Sequence, residues 1–487
     1  MLTRLRVTGF KNLLDADVYF GPFTCIAGAN GVGKSNLFDA ISFLRLLASQ
    51  PLVDAALSMR DEDGKRGDIR SLFFHHGDRY VETMRFEAEM LVPRESTDDL
   101  GQPAEATNTF LRYVLELGYR GEDHEFGPLE IREEHLEHIT KTESSRHLLF
   151  PHSVKDWRES VVEAKRRGGP FISTKPDGDG RTIQLHQDGN AGRPHLLSAQ
   201  KLPKTLLSSV RASEGPTAVV ACNELRGWKL LQLEPAALRQ PDSIRAPRWI
   251  AANGAHIPAT LHHLARNGSG SPDVCSAIAN RVSELVEDIG EVWIDQDDKR
   301  ELLTLYARTR DKTAHPARSL SDGTLRFLAL AVIEQSTESG GLFCLEEPEN
   351  GIHPARIPAM LRLLKDIATD PTLALDDDNP LRQMIINTHS PAVVGEIDDS
   401  SLVVAESRRV PWRSDDVSTV RFSSLSDTWR TKQAGMPECP RGQLLSYLRP
   451  FSTLEEEPDL FPEPGQNRRR HRVIDRDDVQ MMLPFVG

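Results

Sequence analysis

Gly28-Ala29-Asn30-Gly31-Val32-Gly33-Lys34-Ser35 has the spacing GxxxxGK[ST]. Each residue type has a task in that spacing. The glycines let successive backbone N–H groups turn inward around an anion. The lysine brings a point charge to the β- and γ-phosphate oxygens, and the serine hydroxyl is an oxygen ligand for Mg2+. Such a loop must join a strand to a helix N-terminus, whose dipole adds positive potential. Both flanks are readable: Thr24 to Ala27 is a short apolar run, and Leu37, Phe38, Ile41, Leu44 and Leu47 recur at helical spacing. Asn30, Gly31, Gly33, Lys34, Ser35 and Asn36 are therefore the candidate phosphate-binding residues.

Three clusters follow far downstream. Gly341-Leu342-Phe343-Cys344-Leu345-Glu346-Glu347-Pro348 is an apolar strand ending in two carboxylates. In an α/β sheet the C-terminal strand ends face the nucleotide. Glu346 is placed to hold Mg2+, and Glu347 to orient and polarise an attacking water. An acidic pair after a strand is, taken alone, more often a solvated turn; its neighbours decide otherwise. Ser319-Leu320-Ser321-Asp322-Gly323-Thr324 runs into the helical pattern Leu325, Leu328, Val332, so Ser321 and Gly323 mark a second helix N-terminus suited to an anion. Glu349-Asn350-Gly351-Ile352-His353-Pro354 reads as a loop, with Pro354 in the first turn of the next helix. Met384 to Thr388 is a strand delivering His389.

These motifs, in this order, resemble the ATP-binding-cassette (ABC) ATPases. LSDGT is similar to their signature motif, LEEPENGIHP to their Walker B and D-loop, and NTHS to their switch histidine. GANGVGKSN and the opening RLRVTGFKNL resemble the RecF/SMC branch and the overcoming-lysogenisation-defect (OLD) group. More weakly, LRGWKLLQLEPAALRQP (225–241), NGAHIPATLHHLAR (253–266) and FSSLSDTW (422–429) look like bacterial AAA-type ATPases of that branch. The resemblance implies an α/β P-loop NTPase, an ABC-type head built from two lobes with a mixed, mainly helical insertion. The expected division is lobe I at 1–130, insertion at 131–299, lobe II at 300–410 and a C-terminal extension at 411–487. It further implies ATP and Mg2+ as ligands, with Ser35 and Glu346 on the metal. Glu347 would be the catalytic carboxylate, His389 the γ-phosphate sensor and Asn350 the D-loop residue. Ser321 and Gly323 would meet the ATP of a second copy in a head-to-tail homodimer. Two positions depart from the usual pattern. Glu346 stands where many relatives carry Asp, and Asp322 stands in the signature where glycine is usual; a carboxylate there is expected to weaken contact with the γ-phosphate. A glutamine-loop residue is not placed; His75-His76-Gly77 occupies a plausible region, though a surface turn fits it better. Phe10 is as well suited to the core as to adenine.

Composition bounds what this ATPase acts on. With 487 residues and a net charge of −13, the chain is poorly suited to coating nucleic acid by bulk charge. Lys165, Arg166, Arg167 and the run Arg468 to Arg472 are candidate local phosphate contacts. The five cysteines are widely spaced, with no CxxC pair, and no apolar run spans a bilayer. A cytoplasmic protein without a membrane partner is expected. The favoured use is regulation of a nucleic-acid transaction such as DNA repair or anti-phage defence, or of an effector protein partner such as a toxin or nuclease. An OLD-like nuclease would need a TOPRIM domain. Glu406, Asp475 and Asp477 resemble its acids only superficially, and a transporter subunit fits the long insertion poorly.

Overall fold

The computed structural model describes residues 1–59, 68–166, 168–178, 180–188, 194–267, 274–286, 289–336, 340–440 and 442. Two large sheets organise them. The first is antiparallel and carries strands β1 (Leu2–Phe10), β2 (Leu13–Tyr19), β4 (Thr83–Leu91), β5 (Phe110–Tyr119), β6 (Leu129–His138), β7 (Ile172–Asp177), β8 (Gly180–Leu185) and β9 (His195–Ser198), in the order β9-β8-β7-β6-β5-β4-β1-β2. The second carries β3 (Phe23–Ala27), β10 (Lys229–Leu231), β13 (Gly341–Glu346), β14 (Arg382–Thr388), β15 (Leu402–Trp412) and β16 (Asp415–Ser423), in the order β10-β13-β14-β3-β15-β16. Its first five strands are parallel, and β16 closes one edge as a hairpin with β15. A smaller antiparallel sheet is built on β11 (Ile289–Asp297) and β12 (Leu302–Thr309).

Burial explains why the second sheet is parallel. All of β3 and β14 is buried, the mark of strands covered on both faces. Side chains alternate between two cores. Leu342, Cys344 and Ile385 face the core shared with helices α1 (Lys34–Leu47) and α2 (Pro216–Arg226). Phe343, Leu345, Met384 and Ile386 face the core shared with α3 (Asp322–Gln335) and α4 (Ile357–Ile367). Phe10 is fully buried, with its ring 5.7 Å from Phe43 and 5.4 Å from Phe86, so it cements α1 to the first sheet and is not presented to a ligand.

The expected domain limits do not coincide with structural units. Position 130/131 cuts β6, 299/300 cuts the β11–β12 hairpin and 410/411 cuts β15. Residues 131–299 hold helices, but they also continue the first sheet through β7, β8 and β9 and supply β10 to the second. Part of the Gly- and Asp-rich stretch 176–193 is the β7–β8 hairpin. The cause is visible in β6, LEIREEHLEH, whose many glutamates disguise a strand. Across the sheet two of those acids meet cations: Arg85 pairs with Glu133, and also with Glu116 of β5 at 3.0 Å, while Arg112 lies 3.3 Å from Glu137.

Arg430 fastens the segment after β16 to the second sheet. It is fully buried, stacks on Trp429 at 4.2 Å, and donates to Tyr19 O at 2.8 Å, Thr24 Oγ1 at 3.1 Å and the Ser400 carbonyl. Replacing it by alanine removes these hydrogen bonds and opens a cavity, although Thr24 Oγ1 keeps the Gly21 N–H and Ser400 O keeps Trp429 Nε1, so Arg430→Ala should lose about 3 kcal/mol of stability by chemical denaturation. A change under about 1 kcal/mol would remove this role.

Candidate active site

The phosphate loop springs from the buried strand β3. Gly28 is needed for close approach: a Cβ there would lie 2.5 Å from the Ala405 carbonyl on the neighbouring strand. Gly33 caps α1 with φ at +110°, and a Cβ would fall 2.2 Å from the Asn12 amide. Asn12 itself donates to Val32 O at 3.1 Å and accepts from Asn36 Nδ2 at 2.7 Å. Lys11 pairs with Asp39 on α1 at 2.7 Å. The opening GFKN therefore buttresses the loop from outside, a role that reading the loop alone does not reveal.

Lys34 folds back over the loop, its ammonium donating to Gly28 O at 2.6 Å and Ala29 O at 2.9 Å. Burial pulls its pKa down, opposed by the negative charges of Glu347, Glu349 and Glu346. Those carboxylates come from the end of β13, separated from β3 by β14 alone. Glu347 adopts φ of +45°, uncommon for a residue with a side chain. Its carboxylate is gripped from two sides: His389 Nδ1 lies 2.7 Å from Oε1, and Asn350 Nδ2 donates to Oε2 at 2.7 Å. Burial works to raise the Glu347 pKa, but these two hydrogen bonds, with the charges of His389 and Lys34, outweigh it and hold the carboxyl below its usual range.

Asn387, at the end of β14, organises both acids. Its Nδ2 donates to Glu346 Oε1 at 3.3 Å, and its Oδ1 accepts from Glu347 N at 3.1 Å. Nothing in a lone Asn before Thr-His marks this in the sequence. Glu349 accepts from Thr388 Oγ1, which in turn accepts from Ser390 N at 2.9 Å, linking the acidic loop to the histidine loop.

These groups open onto a cleft of about 880 Å³. Asn30, Gly31, Gly33, Lys34, Ser35 and Asn36 line one side, and Glu346, Glu347, Asn350 and Asn387 line the other. Ser71, Phe74, His75 and Ser418 form part of the rim. His75 belongs to a two-stranded hairpin with its ring stacked on Tyr80 at 4.8 Å. Gln232 also lines the cleft, at the C-terminal end of β10 beside the acidic strand. In the sequence its local signal is only the apolar pair Leu230-Leu231 that precedes it. Ser35 and Glu346 supply hydroxyl and carboxylate oxygens to the same cleft, a donor set that fits Mg2+, which keeps several waters and needs few protein ligands.

Ser321 and Gly323 are not in this cleft. They sit at the N-terminus of α3, where Ser321 Oγ accepts from Thr324 N at 3.2 Å, and Gly323 lies close to Gly351 O of the loop after β13. Lys165 and Arg166 are likewise remote from it. Lys165 pairs with Glu105 at 2.6 Å, and Arg166 donates to the carbonyls of Gly168, Pro170 and Gln187 while covering the Phe171 ring. These partners give both side chains a structural use. Arg167, Arg468 to Arg472, Asp475 and Asp477 lie outside the described residues. Among the described residues no cluster of three His, Cys, Asp or Glu side chains could hold a metal, and no helix is long and apolar enough to cross a membrane.

Residues 23–144 and 271–395, together half of the chain, match the family described as AAA domain, putative AbiEii toxin, Type IV TA system. The chain belongs to this family. It carries the AAA-type P-loop ATPase domain of that family. This AAA protein is also similar to the DNA replication and repair protein RecF of Parabacteroides distasonis, with 44% identity over 50 residues, 10% of this chain and 14% of that relative. The chain thus matches only a small part of that relative's length. Among solved structures, an SMC head bound to the C-winged helix domain of ScpA shares 13% identity at a TM-score of 0.45, covering 87% of this chain and 98% of that one. The SMC head domain from Thermotoga maritima shares 13% identity at a TM-score of 0.38, covering 87% and 99%.

Proposed function

We propose that this AAA ATPase is an ATP-gated switch in which two copies close head to tail around two Mg2+–ATP, and that hydrolysis releases them to act on a partner. The carrying observation is the separation of Ser321 and Gly323 from the cleft that holds Lys34. A signature-like helix N-terminus outside its own phosphate cleft has donors for a nucleotide held elsewhere, and a second copy supplies one. Within each cleft Lys34 and the loop N–H groups would hold the β- and γ-phosphates, with Ser35 and Glu346 holding Mg2+, which would neutralise phosphate charge. Glu347 would take the proton of the attacking water, oriented by Asn350 and His389.

Two partners follow from the family and relatives. The family description names a putative toxin of a type IV toxin–antitoxin system, and the similar RecF is a replication and repair protein. The net charge of −13, and the structural use of Lys165 and Arg166, favour an effector protein over extended DNA contact. The experiment is copurification from native cells in the presence of ATP, with mass spectrometry, alongside ATPase assays with and without duplex DNA. A stoichiometric second protein and no DNA stimulation is expected. Salt-sensitive DNA binding with stimulated turnover would instead favour the nucleic-acid reading.

A further inference from the structure

Asp322 in the signature motif poses a physical problem, since a carboxylate facing a γ-phosphate repels it. The fold answers it with a residue 83 positions away. Arg239 Nη2 pairs with Asp322 Oδ1 and also donates to Leu320 O at 3.1 Å. Its guanidinium therefore neutralises the signature carboxylate and tethers the backbone just before Ser321.

Arg239 is also joined to the cleft. It ends a short helix, Pro235–Leu238, that directly continues the cleft-lining segment 232–235. That segment is held firmly: Gln232 N donates to Ala252 O at 2.7 Å and Glu234 N to Asn253 O at 2.9 Å. Leu233 and Leu238 are buried in the same core as Leu325 and Leu328 of α3. The wall of one chain's own cleft and the signature it would offer to another chain are thus one packed unit, closed by an ion pair. The pair is partly exposed, with 29% of the Arg239 side chain and 52% of the Asp322 side chain accessible, so it contributes little to folding stability. Its consequence lies at a surface that becomes desolvated on closure, where an unpaired carboxylate opposite phosphate is costly.

We infer that Arg239 is a positioning residue for the signature motif: it neutralises Asp322 and links the Gln232–Pro235 wall of the cleft to presentation of Ser321 to a second copy. This rests on the two-copy reading above. The test uses the full-length chain carrying Glu347→Gln, mixed with Mg2+–ATP, with dimerisation followed by sedimentation. Adding Arg239→Ala should weaken the ATP-dependent dimer by about tenfold or more, while ATP binding to the single chain and thermal unfolding stay unchanged. Adding Asp322→Gly to that protein should restore the dimer, because removing the carboxylate removes the need for its partner. A purely structural role for Arg239 would not be rescued in this way. An Asp322→Gly variant with Arg239 intact should dimerise at least as well as the parent, which tests the charge argument even if Arg239→Ala folds poorly. A dimer that forms equally well without Arg239, or that Asp322→Gly does not restore, overturns this inference alone. A Glu347→Gln protein that stays monomeric with Mg2+–ATP overturns the two-copy reading, and this inference with it.

Discussion

Glu347→Gln is expected to lower steady-state phosphate release by about 100- to 1000-fold while leaving ATP binding intact, the scale of losing a positioned general base. Glutamine keeps the shape; its amide oxygen can still accept from His389, and its NH2 can donate to Asn350 once that amide turns over, so the loop geometry should survive. What disappears is the ability to accept a proton from water. ATP should then be retained, and the closed state should accumulate. Turnover within tenfold of the parent would move the base elsewhere, and Glu349, which accepts from Thr388, would be the next group to examine. The pH profile gives an independent check. The donors Asn350 and His389 and the nearby Lys34 hold the Glu347 carboxyl low despite the opposing effect of burial. A carboxyl held low stays ionised into more acidic solution, so the acid limb of kcat/KM should lie below the ordinary glutamate value of about 4.3. Asn350→Ala removes one donor to the ionised form and should move that limb upward. An unmoved limb would mean that another group sets it.

Lys34→Ala is the second large effect. Only 6% of Lys34 is exposed, and its ammonium lies over the loop on the carbonyls of Gly28 and Ala29. Charge-assisted hydrogen bonds to phosphate contribute about twice a neutral one, so losing this group should weaken ATP binding by roughly 100-fold. Isothermal titration with Mg2+–ATP measures it directly. The fold should persist, because α1 is held by Leu37, Phe38, Ile41 and Phe43 in the core rather than by its first residue. Affinity within threefold of the parent would place the phosphates outside the loop.

The motifs were legible because each is a local object. In Gly28 to Ser35 the glycines permit the backbone, the backbone aims the N–H groups, and the flanking strand and helix are written into the adjacent residues. The apolar run 341–345 and the strand before His389 are legible for the same reason: full burial on both faces leaves an unbroken hydrophobic signature. Residues that act across the chain were not legible. Asn12 packs on Val32 and Asn36, and Asn387 ties Glu346 to Glu347; neither has a neighbour in sequence that announces the partner. The glutamate-rich β6 was obscured because the partners of its acids lie elsewhere: Glu133 and Glu137 pair with arginines of β4 and β5, and Glu134 accepts from Tyr113 and from the backbone at Leu206 and Leu207.

By itself the sequence determined the chemistry of this protein, a phosphate loop and an acidic strand end in a fixed order, since each needs only a few adjacent residues to specify its backbone. Only the tertiary structure decided where the walls of the cleft come from. It placed Gln232 beside the acidic strand and paired Asp322 with Arg239. The physical reason is that strand order in a sheet buried on both faces is set by packing of whole cores, and side chains meet wherever that packing brings them.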